Sequence, residues 1–341
     1  MSGRSNTQAE YLLNDLLRDV SRSFFLTLRL LPGAVRHQIG LAYLLARATD
    51  TIADTGAITV EKRAKTLERL TLEFSTPGTG HFDVGDIRAE QSSPAERILL
   101  ERIPDALRLL RELEPEDRRR VVGVLQTITS VQNSDLVRFG EASKDQITAL
   151  KTVAELDHYT YQVAGCVGEF WTRICVAHLS PRPKSEIEAL VSKGVAFGKG
   201  LQMVNVLRDL AADLRMGRCY LPEELLQREN LRPEELLDPA NEKRVRPIYD
   251  WYLPRVEENL NTAWSYVLDL PRAWVRVRLA CALPVLIGVK TLNKLRSQNV
   301  LNPDTRIKVS RAEVRQILRE IILLYPLNSM WKKLPARMVR T

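Results

Sequence analysis

The sequence predicts an all-α protein, a single-domain helical bundle over residues 1–341, on three observations. Apolar residues recur at helical spacing along most of the chain. No run alternates as strands do, and Gly and Pro are scattered rather than clustered. The periodicity places helices at about 8–20, 33–55, 60–74, 94–112, 115–139, 147–178, 183–214, 242–268, 272–297 and 310–324. Loop character marks 75–93, with Pro77, Gly78, Gly80 and Gly85, and again 216–222. The first of these reads as a surface excursion rather than a domain boundary.

A chain of 341 residues with 45% hydrophobic content can bury one large core. Its net charge of +8 suits an anionic partner: nucleic acid, a membrane surface or a phosphorylated substrate. The cysteines Cys166, Cys175, Cys219 and Cys281 form no CxxC pair and read as buried thiols of a reducing compartment. The histidines lie apart from them, which argues against a His/Cys metal cage. The first ten residues are polar, so no signal peptide is expected, and no apolar run approaches the ~20 residues of a membrane span. These features predict a cytoplasmic protein. The C-terminal stretch IILLYPLNSMWKKLPARMVR carries two readings: a surface helix in peripheral contact with a membrane, or a terminal helix packed on the body with a basic tail.

Acidic pairs four apart are common on helices, and Asp15 with Asp19 shows the ordinary case. Arg18 lies beside them, while Leu12, Leu13, Leu16, Leu17 and Val20 form the apolar stripe, so these acids sit on a solvated face. Asp50 and Asp54 differ. In IGLAYLLARATDTIAD, the polar residues Tyr43, Arg47, Asp50 and Asp54 share one face of a nearly apolar helix. A second helix, GKGLQMVNVLRDLAADLRMGR, repeats the arrangement with Gln202, Asn205, Asp209 and Asp213, beside Arg208 and before Arg218. Buried carboxylates need compensating cations. Hard oxygen donors on two helices suit Mg²⁺, which binds through a few carboxylates plus substrate phosphates. The pattern predicts a site for a metal-bound diphosphate. Buried Asp–Arg pairs are the competing reading. No GxxxxGK[ST] loop, GxGxxG turn or GxSxG elbow is present. A nucleic-acid binder would account for the charge but not for two such faces, so no nucleic-acid partner is expected.

The segments SRSFFLTLRLLP, YLLARATDTIAD, DHYTYQVAGCVG and QMVNVLRDLAADLRMGRCYLP fall in the order of, and resemble, the motifs of the squalene/phytoene synthase family. The resemblance implies an isoprenoid synthase helical bundle with a central active-site cavity, acting on prenyl diphosphates. By it, Asp50, Asp54, Asp209 and Asp213 are similar to the Mg²⁺-binding aspartates. Arg22, Arg47, Arg208 and Arg218 match positions that bind diphosphate or assist its loss, and Arg47, Arg208 and Tyr159 take the catalytic roles. Ser21, Phe24, Tyr43, Gln202 and Asn205 fall with Arg22 and Arg218 to substrate binding. On spacing alone, Tyr159 is a core or helix-face tyrosine. Ala164, Gly165 and Gly168 either let long prenyl chains approach the backbone or serve tight helix packing.

DTIAD, LACALPVLIGVKTLNKL and VLNPDTRIKVSR lean toward the squalene-forming branch, which implies farnesyl diphosphate as substrate and NADPH as reductant. Ala280 and Val285 depart from that branch. Presqualene diphosphate, dehydrosqualene or phytoene formation without reduction are the alternatives within the family, and a non-catalytic assembly protein is the alternative of another class.

Overall fold

The computed structural model describes residues 9–21, 24–76, 82–179 and 183–340, except the side chains of Phe24 and Arg340. The described residues are overwhelmingly helical, as expected. Their contacts group them into two compact units, one of Met1–Gly140 with Phe170–Arg182, the other of Glu141–Glu169 with Pro183–Thr341.

In the first unit, the helix Gly33–Asp54 runs for 22 residues. Leu41, Leu44, Leu45, Ala48 and Ile52 are buried along it, each leucine contributing about 1.5–3 kcal/mol of apolar burial. It packs against Val60–Ser75 and Pro115–Phe139. Its last turn is well satisfied. Thr51 Oγ1 donates to the Arg47 carbonyl at 2.9 Å and Thr55 Oγ1 to the Thr51 carbonyl at 2.7 Å. Arg63 Nη1, from the next helix, donates to the otherwise orphaned Ala53 carbonyl at 2.5 Å. The helix expected over 94–112 is two helices, Pro94–Glu101 and Ile103–Glu112, broken at Arg102. Pro104 explains the break, because it has no N–H for the preceding turn and its ring crowds that turn's carbonyl.

In the second unit, the continuous helix expected from 147 does not form at its start. Thr148–Ala149 pairs in parallel with Arg218–Cys219. Thr148 N donates to the Gly217 carbonyl at 2.9 Å and Leu150 N to the Cys219 carbonyl at 3.0 Å. Gly217 turns the chain into this ladder at φ +79°, and a Cβ there would lie 2.3 Å from Ser143 N. The helix then begins at Val153, capped by Thr152, whose Oγ1 accepts from Glu155 N at 3.1 Å. It opens into a π-turn at Tyr161–Gly165 and resumes at Cys166.

The 32-residue helix Lys184–Arg215 lies against this segment and against Glu242–Asp269. A Cβ on Gly168 would meet the Gly194 carbonyl oxygen at 1.9 Å, and one on Gly198 would meet that of Ala164 at 2.0 Å. Gly168 and Ala164 therefore take part in backbone-on-backbone helix packing, while a Cβ on Gly165 would meet the side chains of Tyr161, Val195 and Lys199. At the C-terminal end, Trp331, Leu334 and Met338 are buried. Trp331 stacks at a tilt on Trp264 with ring centres 4.9 Å apart, and the Arg278 guanidinium lies 4.7 Å from its ring centre. No described helix is long and apolar enough to cross a membrane.

Candidate functional site

Each unit carries one of the two carboxylate helices. On Gly33–Asp54, Tyr43, Arg47 and Asp50 are half-buried and Asp54 is exposed, opposite the leucine stripe. Gln132 Nε2, from Pro115–Phe139, donates to Asp50 Oδ1 at 2.5 Å. Burial first, and the neighbouring Asp54 second, push the Asp50 carboxyl up to about 6, against the pull of Arg47 and of the Gln132 amide. Arg47 turns aside: its Nη2 donates to Glu96 Oε1, at the first turn of Pro94–Glu101. Its Nε is buried without a hydrogen-bond partner, as is Gln132 Oε1.

On Lys184–Arg215, Gln202, Asn205, Arg208, Asp209 and Asp213 are all half-buried. Asn205 Nδ2 donates to Gln202 Oε1 at 3.3 Å. Arg208 grips Asp209 with both arms of its fork, Nε to Oδ1 at 2.9 Å and Nη2 to Oδ2. Burial and then Asp209 push the Asp213 carboxyl up to about 7, while Arg218 and Arg208 pull it down. Arg218 reaches this region from the short ladder. Beneath the face, the buried Tyr249 hydroxyl donates to the Leu207 carbonyl at 2.7 Å, anchoring the middle of the helix.

These carboxylates differ from one that is purely architectural. Asp117, also in the first unit, is buried and fully served: Arg120 Nη1 at 3.0 Å, Gln38 Nε2 at 3.0 Å and His178 Nε2 at 2.6 Å. Asp50 and Asp213 instead stand above the usual carboxylate range because burial first, and a second aspartate next, outweigh the pull of the nearby arginines. A divalent cation is what that imbalance accommodates, and paired carboxylate oxygens are the donors Mg²⁺ takes. Among the described residues no three His, Cys, Asp or Glu side chains gather into a metal cage. Each pair would thus hold Mg²⁺ with only part of its coordination shell, the rest coming from phosphate oxygens and water. Asp209 can share, since each oxygen held by Arg208 keeps a second lone pair.

The remaining candidates fall as follows. Tyr159 is buried and stacks on Tyr220, ring centres 4.8 Å apart, two residues before the π-turn at Tyr161. Ser21 is buried and its hydroxyl donates to the Leu17 carbonyl at 2.5 Å, closing a helical turn. Arg22 and the Phe24 side chain lie outside the described residues. Glu96, Gln132 and Tyr220 were not singled out from the sequence. Gln132 had a legible signal, the polar cluster Gln132, Asn133 and Asp135 in a helix whose Thr129, Val131 and Leu136 are buried.

Comparison with known proteins adds a family. The model of squalene/phytoene synthase matches residues 17–313. A squalene synthase of Yarrowia lipolytica is 27% identical over 86% of this chain and 63% of its own length. A bifunctional lycopene cyclase/phytoene synthase of Podospora anserina is 28% identical over 67% of this chain and 38% of its own. The chain thus spans less than two thirds of the curated relatives named here. Among solved structures, the complex of TcSQS with the ligand E5700 superposes with a TM-score of 0.75 at 20% identity, covering 98% of this chain and 97% of that one. A ligand complex of a dehydrosqualene synthase gives 0.67 at 21% identity over 96% and 98%. At such identities the likeness is one of fold.

Proposed function

The chain belongs to the squalene/phytoene synthase family, and from that premise we propose that it is a Mg²⁺-dependent prenyltransferase that joins two farnesyl diphosphates head to head. The observation that carries this is the pair of half-buried carboxylate faces, in which burial and a second aspartate raise the Asp50 and Asp213 carboxyls above their usual range.

Bound Mg²⁺ would neutralise the diphosphate and stabilise charge on the departing group. The chain's own residues do the rest. Asp50 with Asp54, and Asp209 with Asp213, present the carboxylate oxygens. Arg47, Arg208 and Arg218 offer guanidinium donors to phosphate oxygens, favouring ionisation of the C–O bond. Engagement of Arg47 requires its release from Glu96, which would also expose its buried, unpartnered Nε. Tyr43 presents an aromatic face on the same side of the helix as Asp50 and is suited to developing positive charge. The family resemblance assigns Tyr159, which stacks on Tyr220, to the condensation half-reaction.

Within the family, squalene by way of presqualene diphosphate is the favoured product, on the DTIAD motif and the segments after residue 279. Reduction by NADPH rests on that likeness alone. Ala280 and Val285 are buried, apolar positions of Val275–Leu295 and do not themselves form a nicotinamide site. The test is to incubate the protein with farnesyl diphosphate and Mg²⁺, with and without NADPH, and identify products by mass. Squalene only with NADPH supports the full reading. The same unreduced product under both conditions leaves condensation and removes reduction. Consumption of geranylgeranyl diphosphate alone would assign a phytoene-forming enzyme, and consumption of neither substrate would leave the non-catalytic reading.

A further inference from the structure

Among the apolar residues after position 320, Ile321, Trp331, Leu334 and Met338 are buried, whereas Ile322, Leu323, Leu327 and Met330 are exposed by 53, 72, 52 and 43%. The exposed set sits at one corner, where the helix Arg311–Leu324 ends and the short helix Asn328–Lys332 begins. Pro326 lies between them and stops the first helix from continuing.

This corner is anchored from inside. The Tyr325 hydroxyl donates to the Arg272 carbonyl at 2.8 Å, Trp331 Nε1 to the Ile321 carbonyl at 3.1 Å and Trp264 Nε1 to the Lys332 carbonyl at 3.0 Å. The aromatic residues thus point inward and hold the aliphatic ones outward. The Tyr325–Arg272 bond also brings exposed Arg272 beside the corner, exposed Arg276 lies four residues further along, and exposed Lys332 and Lys333 follow Trp331. Residues 270–303 and 321–341 contain no Asp or Glu.

The nearest acid in sequence, Glu320, is paired with Arg337, so an aliphatic tip with a basic rim fits an anionic lipid surface. The aliphatic side chains enter the boundary between headgroups and acyl chains while Lys and Arg meet phosphates. A second copy of the chain is a poorer occupant, since apposing two such corners sets like charges against each other. We propose that the corner 322–330, with Arg272, Arg276, Lys332 and Lys333 around it, docks on an anionic bilayer as a monotopic contact. It enters one leaflet without crossing it.

The test is flotation of the full chain with phosphatidylcholine vesicles, with and without phosphatidylglycerol. Two double variants are compared, Leu323→Asp with Leu327→Asp, and Lys332→Glu with Lys333→Glu. All these side chains are exposed, so thermal melts should match the parent. The expected result is flotation that depends on phosphatidylglycerol and a partition coefficient reduced about tenfold or more in each variant. Added salt should weaken binding of the parent. Absence of binding to either vesicle, or binding that both variants retain, overturns the proposal. So does a dimer in lipid-free sedimentation that the Leu323/Leu327 variant abolishes, which would assign the corner to a second copy.

Discussion

The two carboxylate helices repeat one spacing yet meet their charge differently. On Gly33–Asp54 the acid raised is the first of the pair, half-buried Asp50, and it is served by a neutral amide from Gln132, while Arg47 is drawn away to Glu96. On Lys184–Arg215 the acid raised is the second, Asp213, and the first is clamped by its sequence neighbour Arg208. The seating differs as well. The first helix rests on a leucine stripe, the second on carbonyl contacts at Gly194 and Gly198. Identical spacing therefore leaves one acid per helix raised by burial and by its paired aspartate, with too little compensation from the nearby arginines. That shortfall, rather than the spacing alone, is what a diphosphate–metal site needs.

The strongest way to break the comparison is to neutralise each pair in turn. Asp50→Asn and Asp209→Asn should each lower the rate of diphosphate release from farnesyl diphosphate by about 10²–10³-fold or more, with thermal melts little changed. Full activity in either variant would show that its helix carries no metal function. The seating is tested by Gly198→Leu, whose Cβ would lie 2.0 Å from the Ala164 carbonyl oxygen. It should destabilise by about 3 kcal/mol or more in chemical denaturation, whereas Gly123→Ala, with nothing within 4 Å of the added carbon, should stay near wild type.

A smaller effect separates the two acids. Gln132→Leu removes a donor to the Asp50 carboxylate, so Asp50 should rise further and the acid limb of the pH–rate profile should move up by about 0.5–1 unit. An unchanged limb would detach Gln132 from the chemistry.

The smallest effect is on metal-free stability. Asp213, at about 7 in the fold against an ordinary 3.8, keeps a proton that the unfolded chain has released. Folding then takes up a proton between about pH 4 and 7, so the favourable contribution is present at low pH and lost as pH rises. Asp213→Asn should stabilise the metal-free protein by about 0.5–1 kcal/mol at pH 8 and give no gain at pH 4 in urea melts. Equal effects at both pH values would remove titration as the cause.

Much of this was legible because helical periodicity is local. The leucine stripe that buries one side of Gly33–Asp54 also puts Tyr43, Arg47, Asp50 and Asp54 on the other, and both facts can be read within 22 residues. What pairs with those residues could not be read that way, since Glu96 lies 49 positions from Arg47 and Gln132 lies 82 from Asp50. The ladder of Thr148–Ala149 with Arg218–Cys219 was missed because two-residue strands carry no alternation. Pro104 was visible, yet the apolar periodicity continues across it and masked the break at Arg102. Ala164 and Gly168 were open between two uses until the opposing Gly198 and Gly194 were in place.

The central claim is that each carboxylate pair holds Mg²⁺ against a diphosphate. Calorimetric titration of inorganic diphosphate into the protein, with and without Mg²⁺, tests it most directly when repeated on Asp50→Asn with Asp54→Asn and on Asp209→Asn with Asp213→Asn. The account predicts binding that requires Mg²⁺ and is lost in both double variants. Tight binding without Mg²⁺, retained by both, would contradict it and leave the arginines alone as the diphosphate site.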